Sequence, residues 1–411
     1  MYFKILVAAS LAANFLPVNA ENEYLAKAES MHPASAVNGN SVSRESVFAD
    51  SSKVFDIDEV VVVSQPKEVM RLRQQALSST SMSSSLMKKM GASDLRDLSL
   101  FVPNFVMPNY GSRLSSSVYV RGIGSRVNSP AIGLYLDGIP VMSKSAFNLH
   151  TYQLSRVDVL RGPQGTLYGQ NTEGGLVRLY SRNAFDYQGT DVRIGYGSRR
   201  YSNLEASHYQ RLGDDVALMV GGFYNAQTGF FRNTTTGERA DDYQEAGGKL
   251  MLTGRLHSGW KVNVTADYQY VDQSAFPYGS LDLNTGKAEQ PASTFPGSYR
   301  RNNLITGLTL SYDANTFSLA STTSYQYLKD HMYMDQDYLE ADYMRMMQDQ
   351  LQNAMTQEFS LKSRKPVGGV WHWAAGAFFS AQWLKTNGPV FFDSALTTPI
   401  GNAIQQQMYG A

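Results

Sequence analysis

Between Thr190 and Leu384 apolar and polar residues alternate with period two, in runs longer than ordinary soluble strands. Examples are Val192, Ile194 and Tyr196; Val216, Leu218 and Val220; Val262, Val264, Ala266, Tyr268 and Tyr270, with Lys261, Asn263, Thr265, Asp267 and Gln269 between them. Such alternation predicts half-buried β-strands, and about 9 to 11 residues is the length at which a tilted strand crosses a bilayer. The connections alternate too. Gly213–Asp215, His257–Gly259, Asp313–Thr316 and Lys365–Gly369 are short, whereas Gln227–Asp242, Asp272–Arg300, Lys329–Gln348 and the stretch from Asn387 are long. Short turns at one end and long loops at the other predict an antiparallel transmembrane β-barrel rather than a soluble sandwich.

The count is about nine strands. Closed bacterial barrels have even numbers and plugged ones about 22, so the expectation is an incomplete barrel. The chain stops at Tyr409-Gly410-Ala411 within an expected outer loop, which fits the same reading.

Composition narrows the function. Thirty-six basic and 36 acidic residues give zero net charge, which argues against an electrostatic nucleic-acid binder. Cysteine is absent, excluding a disulfide framework and cysteine-ligated metal, while 25 Tyr and 34 Gly favour a large β protein. The six His are scattered, no Ser lies in a G-x-S-x-G elbow, and the GIGSR and GPQG loops lack the lysine and helix of a phosphate loop, so no catalytic residue and no cofactor are expected.

Ahead of the alternating region, Ser117–Arg182 holds two glycine-punctuated halves, SVYVRGIGSRVNSPAIGLYLDGIPV and VDVLRGPQGTLYGQNTEGGLVRLYSR. Short apolar runs beside Gly, Pro, Asp and Asn predict strands joined by tight turns, with a helical turn near Gly165–Gly169. The motifs RGIGSR, GLYLDGIPV and VDVLRGPQGTLYGQNTEGG resemble the plug domain of TonB-dependent outer-membrane receptors over about sixty contiguous residues. The fold expected is therefore mainly β: an α+β plug at 67–185, then the N-terminal part of a barrel at 186–411, about nine strands of an expected 22.

At the N-terminus a basic n-region (Met1–Lys4), an apolar run (Ile5–Pro17) and Val18-Asn19-Ala20 predict a signal peptide over 1–20. Residues 21–66 read as a flexible periplasmic segment ending in FDIDEVVVVSQP. Its run Val60–Val63 is an extended, β-prone segment that suits either a first plug strand or pairing with a partner's sheet edge. The resemblance implies the second, a TonB box over Asp58, Glu59, Val60, Val61, Val62 and Val63 for the C-terminal domain of TonB and its inner-membrane energising complex. Ser85–Phe105 predicts a helix interrupted at Gly91 and stopped by Pro103.

The resemblance also implies site residues. Arg121 and Arg161, each before a Gly, match plug arginines that pair with barrel-wall glutamates, and Glu358 in TQEFSL matches one such glutamate. Arg178 departs from the family pattern, where Asn usually follows the Gly-Gly-apolar-apolar run, so the last plug strand is expected to pair differently. Ligand contacts are expected from outward plug loops, with Tyr110, Arg113 and Phe147 meeting an aromatic, anionic iron chelate. Loop aromatics Phe230, Phe231, Phe276, Tyr278, Tyr333 and Tyr338 add to them. The methionine-rich stretch with His331, Met332, Met334, Met344, Met346 and Met347 is read as adaptable apolar packing, with copper capture the alternative.

The function expected from the resemblance is an outer-membrane transporter in a Gram-negative cell, embedded in outer-membrane lipid. It would capture a ferric siderophore or similar chelate and release it to the periplasm by TonB-driven plug rearrangement. Haem, cobalamin and glycans share the architecture; a non-transporting remnant or isolated plug-type binding module is the alternative.

Overall fold

The computed structural model describes residues 77–409, apart from residues 116, 126–129 and 370. The expected signal peptide, periplasmic segment and TonB box lie outside the described residues.

The plug is built on a five-stranded sheet. Strands β1 (Ser78–Ser83), β2 (Ile132–Leu136), β3 (Ile139–Pro140), β4 (Leu154–Arg161) and β5 (Gly175–Ser181) lie in the order β1-β4-β5-β2-β3. Only β2 and β5 run parallel; the other pairs are antiparallel. The Asp137-Gly138 turn joins β2 to β3 with φ of 52° and 87° at its two residues. Two successive positive φ values define the tight hairpin whose twist matches the strands, which is why an Asp-Gly pair stands there.

The predicted helix of Ser85–Phe105 is divided more sharply than expected. Helix α1 (Ser84–Met90) is capped by the Ser83 hydroxyl, which accepts from the Leu86 N–H, and ends at Gly91 in the left-handed region (φ 70°). A short 3-10 turn, Arg96–Leu100, follows. Gly91 both stops the first helix and accommodates the positive φ. Helix α2 (Gly165–Tyr168) supplies the expected turn. These elements bury one apolar core that includes Leu95, Leu98, Phe105, Val120, Ile132, Val157, Val159 and Val177.

Nine antiparallel wall strands then follow in meander order: β6 (Gly189–Gly197), β7 (Tyr201–Arg211), β8 (Val216–Gln227), β9 (Tyr243–Arg255), β10 (Trp260–Ser274), β11 (Ser298–Asp313), β12 (Phe317–Asp335), β13 (Met344–Ser363) and β14 (Ala374–Asn387). A three-residue strand, Val390–Phe392, pairs with the start of β13. The mainly β fold, with a plug and a partial antiparallel barrel wall, is as the sequence predicts. Among the described residues no helix is long and apolar enough to cross a membrane, which says nothing about strands.

The long loop expected over Lys329–Gln348 is shorter. The β12–β13 ladder continues to Asp335↔Arg345, so the connection is only 336–343. The reason is visible in the burial: Asp330, Met332 and Met334 keep the inward phase of the strand although neither Asp nor Met favours strands.

The wall's two faces are inverted relative to a soluble sheet. Val192, Ile194, Tyr196, Val220, Leu250, Leu308, Leu351 and Phe359 are exposed, whereas Asn203, Asn225, Glu245, Lys249, Asp267, Gln269, Arg301 and Gln326 are buried. Apolar outward and polar inward is the arrangement of a membrane barrel, with the plug filling the polar side.

Candidate functional site

The plug is fastened to the wall mainly through polar side chains. Lys249 on β9 reaches Asp137, in the plug hairpin turn, at 2.8 Å, with Asp267 of β10 at 4.0 Å. Asp137 in turn accepts from the Ser181 backbone and hydroxyl, each at 2.7 Å, so one carboxylate ties together two plug strands and the wall. Arg301 on β11 donates to the Ser145 carbonyl, and Gln326 on β12 accepts from the Met142 N–H at 3.0 Å and donates to the Pro140 carbonyl at 2.6 Å. An apolar contact joins them where Ile139 packs toward Gly307, beside Ile305 and Leu328.

At the end of the wall that carries the long connections, Arg113 of the plug lies 2.6 Å from Glu245 and 3.6 Å from Asp94. Its guanidinium also donates to the Asn148 carbonyl at 3.2 Å. Burial acts against its charge, but Glu245 and Asp94 outweigh burial and raise its pKa further. Asp94 is 3% exposed. Burial pushes its carboxyl up, yet Arg113, Arg96 and the Asp97 N–H together hold it below the usual carboxylate value. All three groups of this triad therefore sit as a compensated set of charges.

His150 lies beneath the triad. Its ring stacks on Phe223 of β8 at 4.1 Å between centroids and 16° between planes, and its Nδ1 accepts from the Tyr152 N–H. Nε2 is 4.0 Å from Glu205. Burial lowers its pKa, against the opposing pull of Glu245 and Glu205, so the ring is neutral.

Above the triad, between plug and wall, opens a cavity of about 280 Å³. Its lining includes Asp94, Arg113, Asn148, Asn225, Phe230, Phe231, Asp241 and Glu245. The N–H groups of Phe230 and Phe231 both donate to Asp241, which fixes the two exposed rings at the rim.

The sequence-predicted ligand residues divide. Arg113, Phe230 and Phe231 line this cavity. Phe147 does not; it is 2% exposed and belongs to the plug core, because the Lys144–Ala146 turn rolls its ring inward. Tyr110, Phe276, Tyr278 and Tyr338 instead pack on one another. Tyr278 donates to the Tyr110 carbonyl at 2.7 Å and stands edge-on to Tyr338 at 5.0 Å. Tyr333 accepts from Arg345 and lies edge-on to Phe295. Met332, Met334 and Met346 pack around buried Tyr299 and Ala275, as the packing reading of that stretch expects. Among the described residues no group of three or more His, Asp or Glu could hold a metal ion.

The expected pairing of Arg121 and Arg161 with Glu358 is not made in this structure. Arg161 donates to the Ser78 hydroxyl at 3.1 Å and the Pro103 carbonyl at 3.0 Å, and Arg121 is exposed with its guanidinium beside Gly162. Arg161 is the last residue of β4 and Arg121 stands in a turn at φ 52° just after the short strand Tyr119–Val120, so both guanidiniums lie against the plug's own turns, at Pro103 and Gly162. Glu358 on β13 instead faces the plug at Tyr135, whose hydroxyl is pushed up by burial and by that carboxylate.

Arg178, the residue that departs from the family pattern, has a buried partner inside the plug. It is buried in β5 opposite Asp158 of β4, at 3.1 Å, and donates to the Tyr168 hydroxyl at 2.8 Å. Sequence reasoning missed Asp94, Asp137, Asp158, Glu245 and Lys249. The signal for Lys249 and Glu245 was their position in the inward phase of an alternating strand; the signal for Asp158 was a lone acid between Val157 and Val159.

A plug seated inside a polar wall, with a cavity between them, defines the class, and comparison with known proteins agrees. Residues 71–176 match the TonB-dependent Receptor Plug Domain family, so the chain carries that plug and is a relative of TonB-dependent receptors. It is 30% identical over 129 residues to the pesticin receptor of Yersinia pestis, covering 31% of this chain and 19% of that protein. The pesticin receptor of Yersinia enterocolitica is 33% identical over 108 residues, or 26% of this chain and 16% of that protein.

Among solved structures, the ferric yersiniabactin uptake receptor of Yersinia pestis superposes with a TM-score of 0.68 at 20% identity, covering 77% of this chain and 50% of that one. The closed ferric-catecholate import receptor of E. coli K12 gives 0.63 at 16%, covering 78% and 49%. At these identities the likeness is one of fold. The chain spans about half the length of these solved receptors and under a fifth of the curated relatives it matches.

Proposed function

We propose that this chain supplies the plug and first wall strands of an outer-membrane receptor that binds a ferric siderophore or similar metal chelate. The cavity between plug apex and wall is the binding place, and TonB, engaging Asp58–Val63, rearranges the plug so that the chelate enters the periplasm. No chemistry is done on the cargo; the protein binds, holds and lets pass.

The observation that carries this reading is the cavity's setting. It opens where the long connections are, its rim presents exposed rings, and its floor is a plug held by contacts that water can replace. The relatives named for ferric yersiniabactin and ferric-catecholate uptake support the same substrate class.

The test is uptake of radiolabelled ferric chelate by iron-starved cells producing this chain. Val61→Pro removes one donor from a segment that would pair by its main chain. Uptake is expected to be lost while binding at the cell surface persists. Unchanged uptake would remove TonB coupling through this segment, and binding without uptake in the parent chain would make it a binding module.

A further inference from the structure

Arg301 of β11 is fully buried, at 0% exposure, and uses only one of its nitrogens. Nη1 donates to the carbonyl of Ser145, in the plug's Lys144–Ala146 turn, while Nε and Nη2 have no hydrogen-bond partner. A buried guanidinium held by one neutral carbonyl is poorly compensated, because its charge and its other N–H groups have left water without replacement.

The missing partner stands directly across the ladder. Arg301 and Asp330 of β12 are opposite residues of the antiparallel register, so their side chains share one face with Cβ atoms about 5 Å apart. Asp330 is 2% exposed; one carboxylate oxygen accepts from the Tyr299 hydroxyl at 3.0 Å, and the other, Oδ1, has no partner. Glu245, two strands from Arg301, is already taken by Arg113 at 2.6 Å. Side-chain rotation alone can bring Arg301 and Asp330 together, and the bond to Ser145 is what holds them apart. Gln326, four residues before Asp330, grips the same plug segment at Met142 and Pro140.

We infer that Arg301 is a two-position latch: with the plug seated it reaches to Ser145, and when residues 140–145 leave the wall it turns back onto Asp330. The wall thereby stabilises its own released arrangement. The guanidinium exchanges a neutral acceptor for a carboxylate, so the bond lost at Ser145 is offset by a charge-assisted one. Asp330 is a positioning residue that touches no cargo. The inference borrows from the receptor reading only that the plug moves.

The experiment follows release of this segment in the full chain in detergent at pH 7.5. The chain has no cysteine, and Ser145 is 7% exposed and gives the latch only its backbone carbonyl. Ser145→Cys therefore places a single thiol, shielded while the plug is seated, without removing that acceptor. Its rate of maleimide labelling in sub-denaturing urea reads the open population when reclosing is fast. On that background Asp330→Asn is expected to slow labelling about tenfold, the scale of one charge-assisted hydrogen bond. Tyr299→Phe frees the second carboxylate oxygen for Arg301 and is expected to speed labelling. With Arg301→Gln in place, Asp330→Asn is expected to change nothing further. A carboxylate that only steadies the seated Arg301 through its field gives the opposite sign, faster labelling in Asp330→Asn; that result, or an unchanged rate, overturns the latch. If Asp330→Asn does not fold, Tyr299→Phe decides alone, and labelling no faster than in the parent overturns it. Uptake of a ferric chelate by cells is read separately, so failure of the latch leaves the receptor reading standing.

Discussion

Arg113, on a plug loop, lies 2.6 Å from Glu245 on the fourth wall strand, β9, and the same guanidinium is 3.6 Å from Asp94 within the plug. One cation thus joins the two parts of the molecule. Removing it with Arg113→Ala leaves buried Glu245 without its cation and Asp94 with the partly exposed Arg96 alone, at 3.5 Å, and plug stability is expected to fall by about 3 kcal/mol. Urea unfolding followed by protease susceptibility of the plug measures this; a loss below about 1 kcal/mol would show that the pair is not part of what seats the plug.

Asp158 and Arg178 make a buried pair across β4 and β5 inside the plug itself. Asp158→Ala is expected to cost about 3 to 5 kcal/mol, because Arg178 and the neighbouring Arg156 lose their carboxylate. The double replacement Asp158→Leu with Arg178→Met is expected to recover most of that loss, since well-packed apolar residues replace buried ions at little cost. Thermal unfolding of both variants gives the comparison, and a double variant no better than the single one would contradict it.

His150 gives a dependence on pH. Its folded pKa is lowered from 6.5, first by burial. The unfolded chain therefore takes up a proton near pH 6.5 that the folded plug refuses, and stability is full above that pH and falls as pH drops below it. Asp94, held below 3.8, adds a second loss only at lower pH, as acid protonates it. The plug is expected to unfold more readily at pH 5.5 than at pH 7.5, and His150→Gln is expected to flatten that difference while leaving the loss below pH 4. Equal slopes in parent and variant would assign the effect elsewhere.

Gly221 on β8 gives way to Gln153 of the plug. A Cβ at Gly221 would overlap the Gln153 amide and stand 2.9 Å from the Ser207 Cα. Gly221→Val is therefore expected to displace the plug segment around Gln153 and expose it to protease, with overpacking costing about 1 to 3 kcal/mol. Proteolysis at 148–154 in the variant alone is the expected pattern; identical digests would show that the segment yields without leaving the wall.

The architecture was legible because two periodic signals are long. The alternation at 261–270 and the alternation of short and long connections needed no tertiary information, and both appear as strands and turns. The latch was less legible. Whether Lys249 or Glu245 faces the plug follows from strand phase, but their partners Asp137 and Arg113 lie more than a hundred residues away in sequence and are chosen by how the plug sits. Phe147 misled for a related reason: a ring on an outward loop reads as a ligand contact until a short helical turn rotates it into the core. The Met-rich stretch concealed a strand because residue preference and phase disagreed there, and phase prevailed.

The inverted faces of the wall have a mechanical consequence. A protein core is hard to pull apart because the apolar surfaces that separate have no substitute partner, whereas most of the plug's grip on β8–β12 consists of hydrogen bonds and ion pairs whose groups water can take over, at a net cost of about 0.5 to 3 kcal/mol each, the charged ones at the upper end. Under tension the boundary between stopper and bore is therefore where the molecule yields first, one latch at a time, while Leu98, Val120 and Val157 hold the stopper's interior together. The same chain is slippery along one surface and cohesive within another, a division of strength that its wall residues set by which way they point.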